Sequence, residues 1–129
     1  MKKILLWGMM MLLPAMAGAE SVKIGGLYYC LDGEAMTAEV VNEFGYTVSG
    51  RVAIPASVDH EGNAYAVTRI GDYAFSTSAD VTEVEIPASV REVGRSAFGD
   101  CLLLRDVYCL GTELPECGGE ELLVNQVSC

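Results

Sequence analysis

Ile-Gly-Asp-Tyr-Ala-Phe at 70–75 and Val-Gly-Arg-Ser-Ala-Phe at 93–98 decide the fold of this chain. The second segment repeats the first at a sequence offset of 23. A second pair of similar segments, Ile-Pro-Ala-Ser-Val at 54–58 and at 86–90, has an offset of 32, which is the same repeat lengthened by nine. Hydrophobic positions that recur at one offset predict stacked coils, because a single coil cannot bury such faces alone.

Each repeat has the pattern of a short strand followed by a corner. Val84 and Ile86 alternate with acidic residues, so the apolar side chains should face a core and the acids should face solvent. Pro87 should end the strand because proline cannot donate to a ladder. At the offset of 23, Val84 should stack on Val107.

The repeated glycines and phenylalanines mark the second corner. Gly71 and Gly94 are predicted where the backbone has a positive φ or approaches a neighbouring coil closely. The alanine that follows lets adjacent coils pass near each other, and Phe75 should stack on Phe98.

Two hairpins are predicted in the first half of the chain. The nine inserted residues, 59–67, contain Glu-Gly-Asn at 61–63 between alternating residues, which is typical of a hairpin turn. Residues 27–31 and 36–41 read as two antiparallel strands, with the Asp-Gly turn signal at 32–33 between them. The second hairpin should cap the first coil.

Taken together, the motifs Ile-Pro-x-Ser-Val, Ile/Val-Gly-x-x-Ala-Phe and x-x-Cys-x-x-Leu resemble the BspA-like leucine-rich repeat family of bacterial surface proteins. The resemblance covers roughly residues 54–116. Residues 27–41 and 46–54 also resemble the β-hairpin lead-in of that family, and residues 107–115 resemble a late repeat. It implies a mainly β fold, a short curved solenoid of 23-residue repeats with an N-terminal antiparallel β-hairpin cap. It also implies secretion or surface display and recognition of proteins or host surfaces.

The N-terminus has the pattern of a secretory signal. Lys2 and Lys3 precede an apolar run at 4–16, and small residues favour cleavage after Ala19. The run is shorter than the about 20 residues that span a bilayer, so a retained anchor is the less favoured alternative. The predicted organisation is a signal peptide at 1–19, a lead-in and first repeat with the inserted hairpin at 20–66, and repeats with an incomplete C-terminal end at 67–129.

Charge narrows the class of partner. Removal of the two early lysines leaves six basic and eighteen acidic residues, a net charge of −12. Such a chain should be repelled by nucleic acid and by anionic membranes. A cationic partner or calcium is an alternative to a solvated acidic surface, and we favour the solvated surface because the acids are dispersed.

No catalytic, cofactor or metal site is predicted. His60 is the single histidine, and a turn next to Asp59 explains both residues better than catalysis does. Calcium binding by Asp59, Glu61 and Asn63 would need a spacing that the segment lacks.

The cysteines are odd in number and do not have zinc-site spacings. One of them at least must be a free thiol or must pair between chains. Cys101 and Cys109 are predicted as core residues, and Ser78 stands where the second repeat has Cys101. The five positions are Cys30, Cys101, Cys109, Cys117 and Cys129.

The C-terminal end is expected to be open. The strand near Val107 is followed by no complete repeat, and no polar cap is visible in the sequence. Residues 122–124 could fold back as a cover. Otherwise the open edge should drive self-association, with Cys129 able to bridge two chains.

The sequence therefore favours an exported, non-enzymatic interaction module located in the periplasm, at the cell surface or outside the cell. It would bind a protein or a glycan through an acidic solenoid face, and it would have no stable membrane span after signal cleavage. The alternative is a structural or truncated fragment of a larger repeat array without its own ligand. Tyrosines are further contact candidates, but the predicted binding surface consists of Glu83, Glu85, Arg105, Asp106 and Tyr108.

Overall fold

The computed structural model describes residues 20–117 and the backbone of the strand Val127–Ser128. The predicted signal peptide, the segment 122–124 and Cys129 lie outside these residues. The described part is built of strands and turns and contains no helix, so it holds no helix long and apolar enough to cross a bilayer. Its strands are β1 (Val22–Ile24), β2 (Leu27–Asp32), β3 (Thr37–Val41), β4 (Gly50–Ala53), β5 (Ser57–His60), β6 (Asn63–Ile70), β7 (Val81–Ile86), β8 (Glu92–Val93), β9 (Asp106–Cys109), β10 (Glu116–Cys117) and β11 (Val127–Ser128).

The strands form two sheets. Sheet A has the order β1-β2-β3-β6-β8-β10, with β5 also paired to β6, and sheet B has the order β11-β9-β7-β4. From β3 onward the chain alternates between the sheets, except that β5 and β6 form an antiparallel hairpin in sheet A. The other strands of this series pair in parallel with their neighbours within each sheet. Each coil thus contributes one strand of this series to each sheet: the first coil contains β3 and β4, the second β6 and β7, and the third β8 and β9. The predicted β-solenoid is confirmed.

The strand register reproduces the sequence repeat. Val84 pairs with Val107 at the offset of 23, and Val52 pairs with Val84 at the offset of 32. In sheet A, Ile70 pairs with Val93, again at the shorter offset. All five side chains lie in one hydrophobic core, so the repeated positions are those that stacked coils bury together.

The Ala-Phe pairs build the corner between the two sheets. Phe75 and Phe98 stack as predicted, with ring centroids 5.2 Å apart and planes 2° from parallel. The Phe75 N–H donates to the carbonyl of Ala97 over 2.7 Å, and Ala97 is fully buried. The small side chain lets the two coils approach to hydrogen-bonding distance.

The glycines of the same corner are needed for close approach and not for a positive φ. The Gly71 N–H donates to Val40 O over 2.8 Å and the Gly94 N–H donates to Ile70 O over 2.7 Å. A Cβ at Gly94 would lie 2.7 Å from the carbonyl carbon of Gly71. The left-handed residues are instead Tyr73, with φ 58°, and Ser96, with φ 46°, at equivalent positions of the two repeats.

Both predicted hairpins are present. Strands β5 and β6 are joined by Glu61 and Gly62, whose φ values of 50° and 85° are those of a type I′ turn. Strands β2 and β3 pair antiparallel as the lead-in, but β3 also pairs in parallel with β6 and so belongs to the first coil. Strand β1, which the sequence did not predict, extends the lead-in.

The interpretation of residues 46–54 as part of the lead-in hairpin is wrong. This segment contains β4, which joins sheet B by parallel pairing with β7. Val52 and Ile54 are buried in the core of the solenoid, so the apolar alternation of this segment serves the first coil.

The expectation that the strand at Val107 lacks a neighbour is also wrong. Strand β11 pairs in parallel with β9, with Val127 next to Val107 and Ser128 next to Tyr108. In sheet A, β10 pairs with β8 in the same way. Both sheets therefore continue by one strand beyond the coil of β8 and β9.

Candidate functional site: the outer face of sheet B

The solvent-facing side of β4, β7 and β9 brings most of the predicted binding residues together. Parallel pairing places side chains of equal orientation next to one another across the strands. We call this surface the outer face of sheet B. It consists of two rows, Arg51–Glu83–Asp106 and Ala53–Glu85–Tyr108.

Ion pairs connect the basic and acidic side chains of this face. The guanidinium of Arg51 lies 3.3 Å from Glu83 and 3.6 Å from Glu85, and that of Arg105 lies 3.5 Å from Glu83. The side chains of Arg51 and Arg105 remain 57% and 65% exposed, so these contacts are screened by solvent and contribute little to stability. The face is thus of mixed charge and not simply acidic.

All five predicted residues fall on or beside this face. Arg105 immediately precedes β9 and reaches Glu83 with its side chain. Tyr108 is 37% exposed and can present its ring and hydroxyl to a partner. Sequence reasoning missed Arg51, although the offset of 32 that aligns Ile54 with Ile86 also aligns Arg51 with Glu83.

Sheet A carries a similar row on its own outer side. Arg69 lies between Glu39 of β3 and Glu92 of β8, and it forms ion pairs with both. Burial opposes the charge, but the two carboxylates raise the pKa of Arg69 above its ordinary value. The N–H of Arg95 and the guanidinium of Arg69 lower the pKa of Asp72. The hydrogen bond from the Arg95 N–H to the Asp72 carboxylate also ties the second coil to the third. Arg69 thus has a carboxylate on each side.

The single histidine is the last residue of β5, directly before the turn of the inserted hairpin. His60 pairs with Asn63 at the end of the inserted hairpin, and its Nε2 lies 3.6 Å from the Glu61 carboxylate. Within residues 20–117, no group of three His, Cys, Asp or Glu side chains is placed to hold a metal ion.

The two residues at the variable core position satisfy different neighbours. Cys101 is buried, and its Sγ–H donates to Phe75 O over 3.1 Å. Ser78, at the matching position, is also buried, and its hydroxyl accepts the Val48 N–H over 3.0 Å. The Ser78 hydroxyl therefore fixes the backbone of the first coil at Val48, whereas the Cys101 thiol bonds to the backbone of the second coil at Phe75. Cys109 is partly buried against the core.

We expect Cys101 to be unreactive in the folded protein. Burial and then Asp100 raise the pKa of its thiol to about 11, which leaves almost no thiolate at pH 8. Reduced protein should be treated with iodoacetamide at pH 8, and the modified peptides quantified by mass spectrometry. The exposed Cys117 should be modified in the folded state and Cys101 only after unfolding. Equal rates for both thiols would contradict this placement.

Comparison with known proteins supports the fold. No protein-family model and no curated protein matches the chain. A leucine-rich cell surface protein from Faecalibacterium prausnitzii is similar over 81% of this chain, with 29% identity and a TM-score of 0.67. A leucine-rich repeat protein from Bacteroides capillosus is similar over 70% of the chain, with 35% identity and a TM-score of 0.61. A leucine-rich repeat protein from Bacteroides ovatus, at 23% identity and a TM-score of 0.53, shares the fold.

The architecture is therefore that of a leucine-rich repeat solenoid. The resemblance to the BspA-like leucine-rich repeat family is confirmed, since these structural neighbours are bacterial leucine-rich repeat proteins. It spans 28% of the Faecalibacterium protein, 65% of the Bacteroides capillosus protein and 41% of the Bacteroides ovatus protein.

Proposed function

We propose that the chain is an exported, non-enzymatic binding module that recognises a protein or a glycan, host-surface molecules included, through the outer face of sheet B. The observation that carries the proposal is the pair of side-chain rows across β4, β7 and β9. They present carboxylates, guanidinium groups and the phenol of Tyr108 on one rigid surface.

Rigidity makes such a face suited to recognition. Val84 and Val107 are fully buried directly beneath the two rows, so the backbone that carries the rows is fixed by the core. Side chains held in this way lose little further backbone entropy on binding. Tyrosine and arginine are among the residue types enriched at the energetic hot spots of protein interfaces.

Two further observations support this class of function. The Faecalibacterium neighbour is described as a cell surface protein, which agrees with the secretory pattern at 1–19. His60, the residue that a histidine-dependent hydrolase would need, is the last residue of β5 and lies next to the hairpin turn at Glu61.

The test is binding of the full mature chain to a glycan array and to an array of purified extracellular proteins. Any hit should be lost when Asp106→Lys and Tyr108→Ala are combined, with a Kd raised at least about tenfold, since one aromatic anchor typically contributes about 1.4 kcal/mol or more. Glu61→Lys combined with Phe44→Ala is the matched control, because both side chains are exposed and lie outside the two rows.

Equal loss in the control pair would show that the outer face of sheet B is not the binding surface. An absence of any hit would favour the second candidate, a repeat segment of a larger array without its own ligand. That candidate is supported by the size of the structural neighbours, of which the chain spans at most 65%.

A further inference from the structure

Strand β4 presents an unpaired edge. Sheet A is covered on the N-terminal side of β3 by the antiparallel strand β2. In sheet B, β4 holds the equivalent position, and among the described residues only β7 pairs with it. The lead-in hairpin therefore caps one sheet of the solenoid and leaves the other uncovered.

The backbone groups on that edge can be assigned. Ile54 donates its N–H to Glu85 O over 3.0 Å, on the β7 side. Since backbone groups alternate between the two edges of a strand, Val52 also faces β7, whereas Arg51 and Ala53 face away from it. Their two N–H and two C=O groups form a ready template for an added strand.

The side chains on this edge specify what kind of strand would fit. Arg69 in sheet A has Glu39 on one side and Glu92 on the other. Arg51 in sheet B receives its carboxylates, Glu83 and Glu85, from the β7 side. An added strand with an acidic residue next to Arg51 would complete the arrangement that Arg69 already has.

A groove runs beside the strand and gives room for the addition. It has a volume of about 830 Å³ and is walled by β4, by the turn between β1 and β2, and by residues 46–49. Val52, Val58 and Leu27 contribute buried apolar groups to its lining. A groove with walls on both sides suits a slender, extended segment better than a second folded solenoid.

We propose that the open edge of β4 binds an extended polypeptide by strand addition, and that the preferred segment alternates β-branched apolar residues with glutamate or aspartate. Strand β7, Val-Thr-Glu-Val-Glu-Ile, shows this chemistry on the occupied side of β4, where Glu83 lies next to Arg51 and Val84 next to Val52. An added strand of the same pattern would place apolar side chains over the groove and acids beside Arg51.

The probe is a fluorescent, end-blocked peptide with the sequence Val-Thr-Glu-Val-Glu-Ile, titrated into the full chain and followed by anisotropy. Saturable binding is expected, with a Kd below about 1 mM. A peptide with both glutamates replaced by lysine should bind at least about tenfold more weakly, because like charges then meet at Arg51. Hydrogen exchange of the Arg51 and Ala53 amides should slow when peptide is added, while that of Val107 should not change.

Ala53→Pro is the decisive variant. It removes an N–H from the open edge and none from the ladder with β7, so the fold should persist while peptide binding weakens by roughly tenfold. Ala53→Val keeps the N–H and should bind as the parent does. If Ala53→Pro fails to fold, the exchange measurement on the parent chain decides.

Several results would overturn the proposal: no saturation up to about 1 mM peptide, equal binding by Ala53→Pro, or unchanged exchange at Arg51 and Ala53. The strand-addition site shares Arg51 and Ala53 with the outer face of sheet B, but it uses the backbone edge of β4, and Tyr108 lies on β9, two strands away. Tyr108→Ala should therefore leave peptide binding unchanged, so each idea can fail without the other.

Discussion

Phe98→Ala should lower the free energy of unfolding by about 3–5 kcal/mol, as truncation of a buried phenylalanine commonly does. Phe98 is 6% exposed and stacks on Phe75, so the substitution removes the ring contact that links the second and third coils and leaves a cavity. A domain of this size has a total stability of about 5–15 kcal/mol, so the loss is a large part of it. Urea denaturation followed by circular dichroism measures the change.

The chain offers a matched control for this substitution. Phe44 is fully exposed, so Phe44→Ala removes the same atoms without uncovering a core, and it should change stability by less than about 0.5 kcal/mol. The double variant Phe75→Ala with Phe98→Ala should show a coupling of about 0.5–1.5 kcal/mol, because the rings are in direct contact. A loss below about 1 kcal/mol for Phe98→Ala would mean that the two repeats are not stacked in this register.

The repeat made the coil stacking predictable from sequence. Each turn of a solenoid buries the same positions against its neighbour, so residues such as Ile70 and Val93 must recur at the spacing of the coil. The turn was also predictable: Gly62 takes the second central position of the type I′ turn between β5 and β6, where glycine is favoured.

Features that lie outside the repeat could not be read in this way. Val40 of β3 pairs in parallel with Ile70. The segment around Val40 lacks the repeat motif, so this pairing could not be predicted from the sequence. Strand β1 is three residues long and too short to show a period. The left-handed residues were also missed, since the repeated glycines were the obvious candidates for positive φ, and the structure assigns that role to Tyr73 and Ser96.

The candidate site was only partly predictable for a related reason. The alternation in β7 fixes which side chains face solvent, and it correctly placed Glu83 and Glu85 on the outer face. Alternation does not say which basic residue lies beside them. That depends on the pairing of β4 with β7, which brings Arg51 next to Glu83 although the inserted hairpin lies between them in the chain.

Gly94→Ala should destabilise the protein by about 1–3 kcal/mol, the range for a methyl group forced into a packed interior. The added Cβ would lie 2.6 Å from the backbone N of Asp72 and 2.7 Å from the carbonyl carbon of Gly71. These are backbone atoms of the preceding coil, so they can yield only if the coils separate. Separation would also stretch the bond from the Gly94 N–H to Ile70 O, which is 2.7 Å long.

The matched substitution is Gly33→Ala. Gly33 lies outside the left-handed region, and a Cβ there would meet no atom within 4 Å, so stability should change by less than about 1 kcal/mol, with a gain as the expected sign. Thermal unfolding of both variants tests the difference. Equal melting temperatures would mean that the coils are not held at the distance which requires glycine. A lower melting temperature for Gly94→Ala alone would identify close coil approach, and not a special φ, as the reason why the repeat carries glycine.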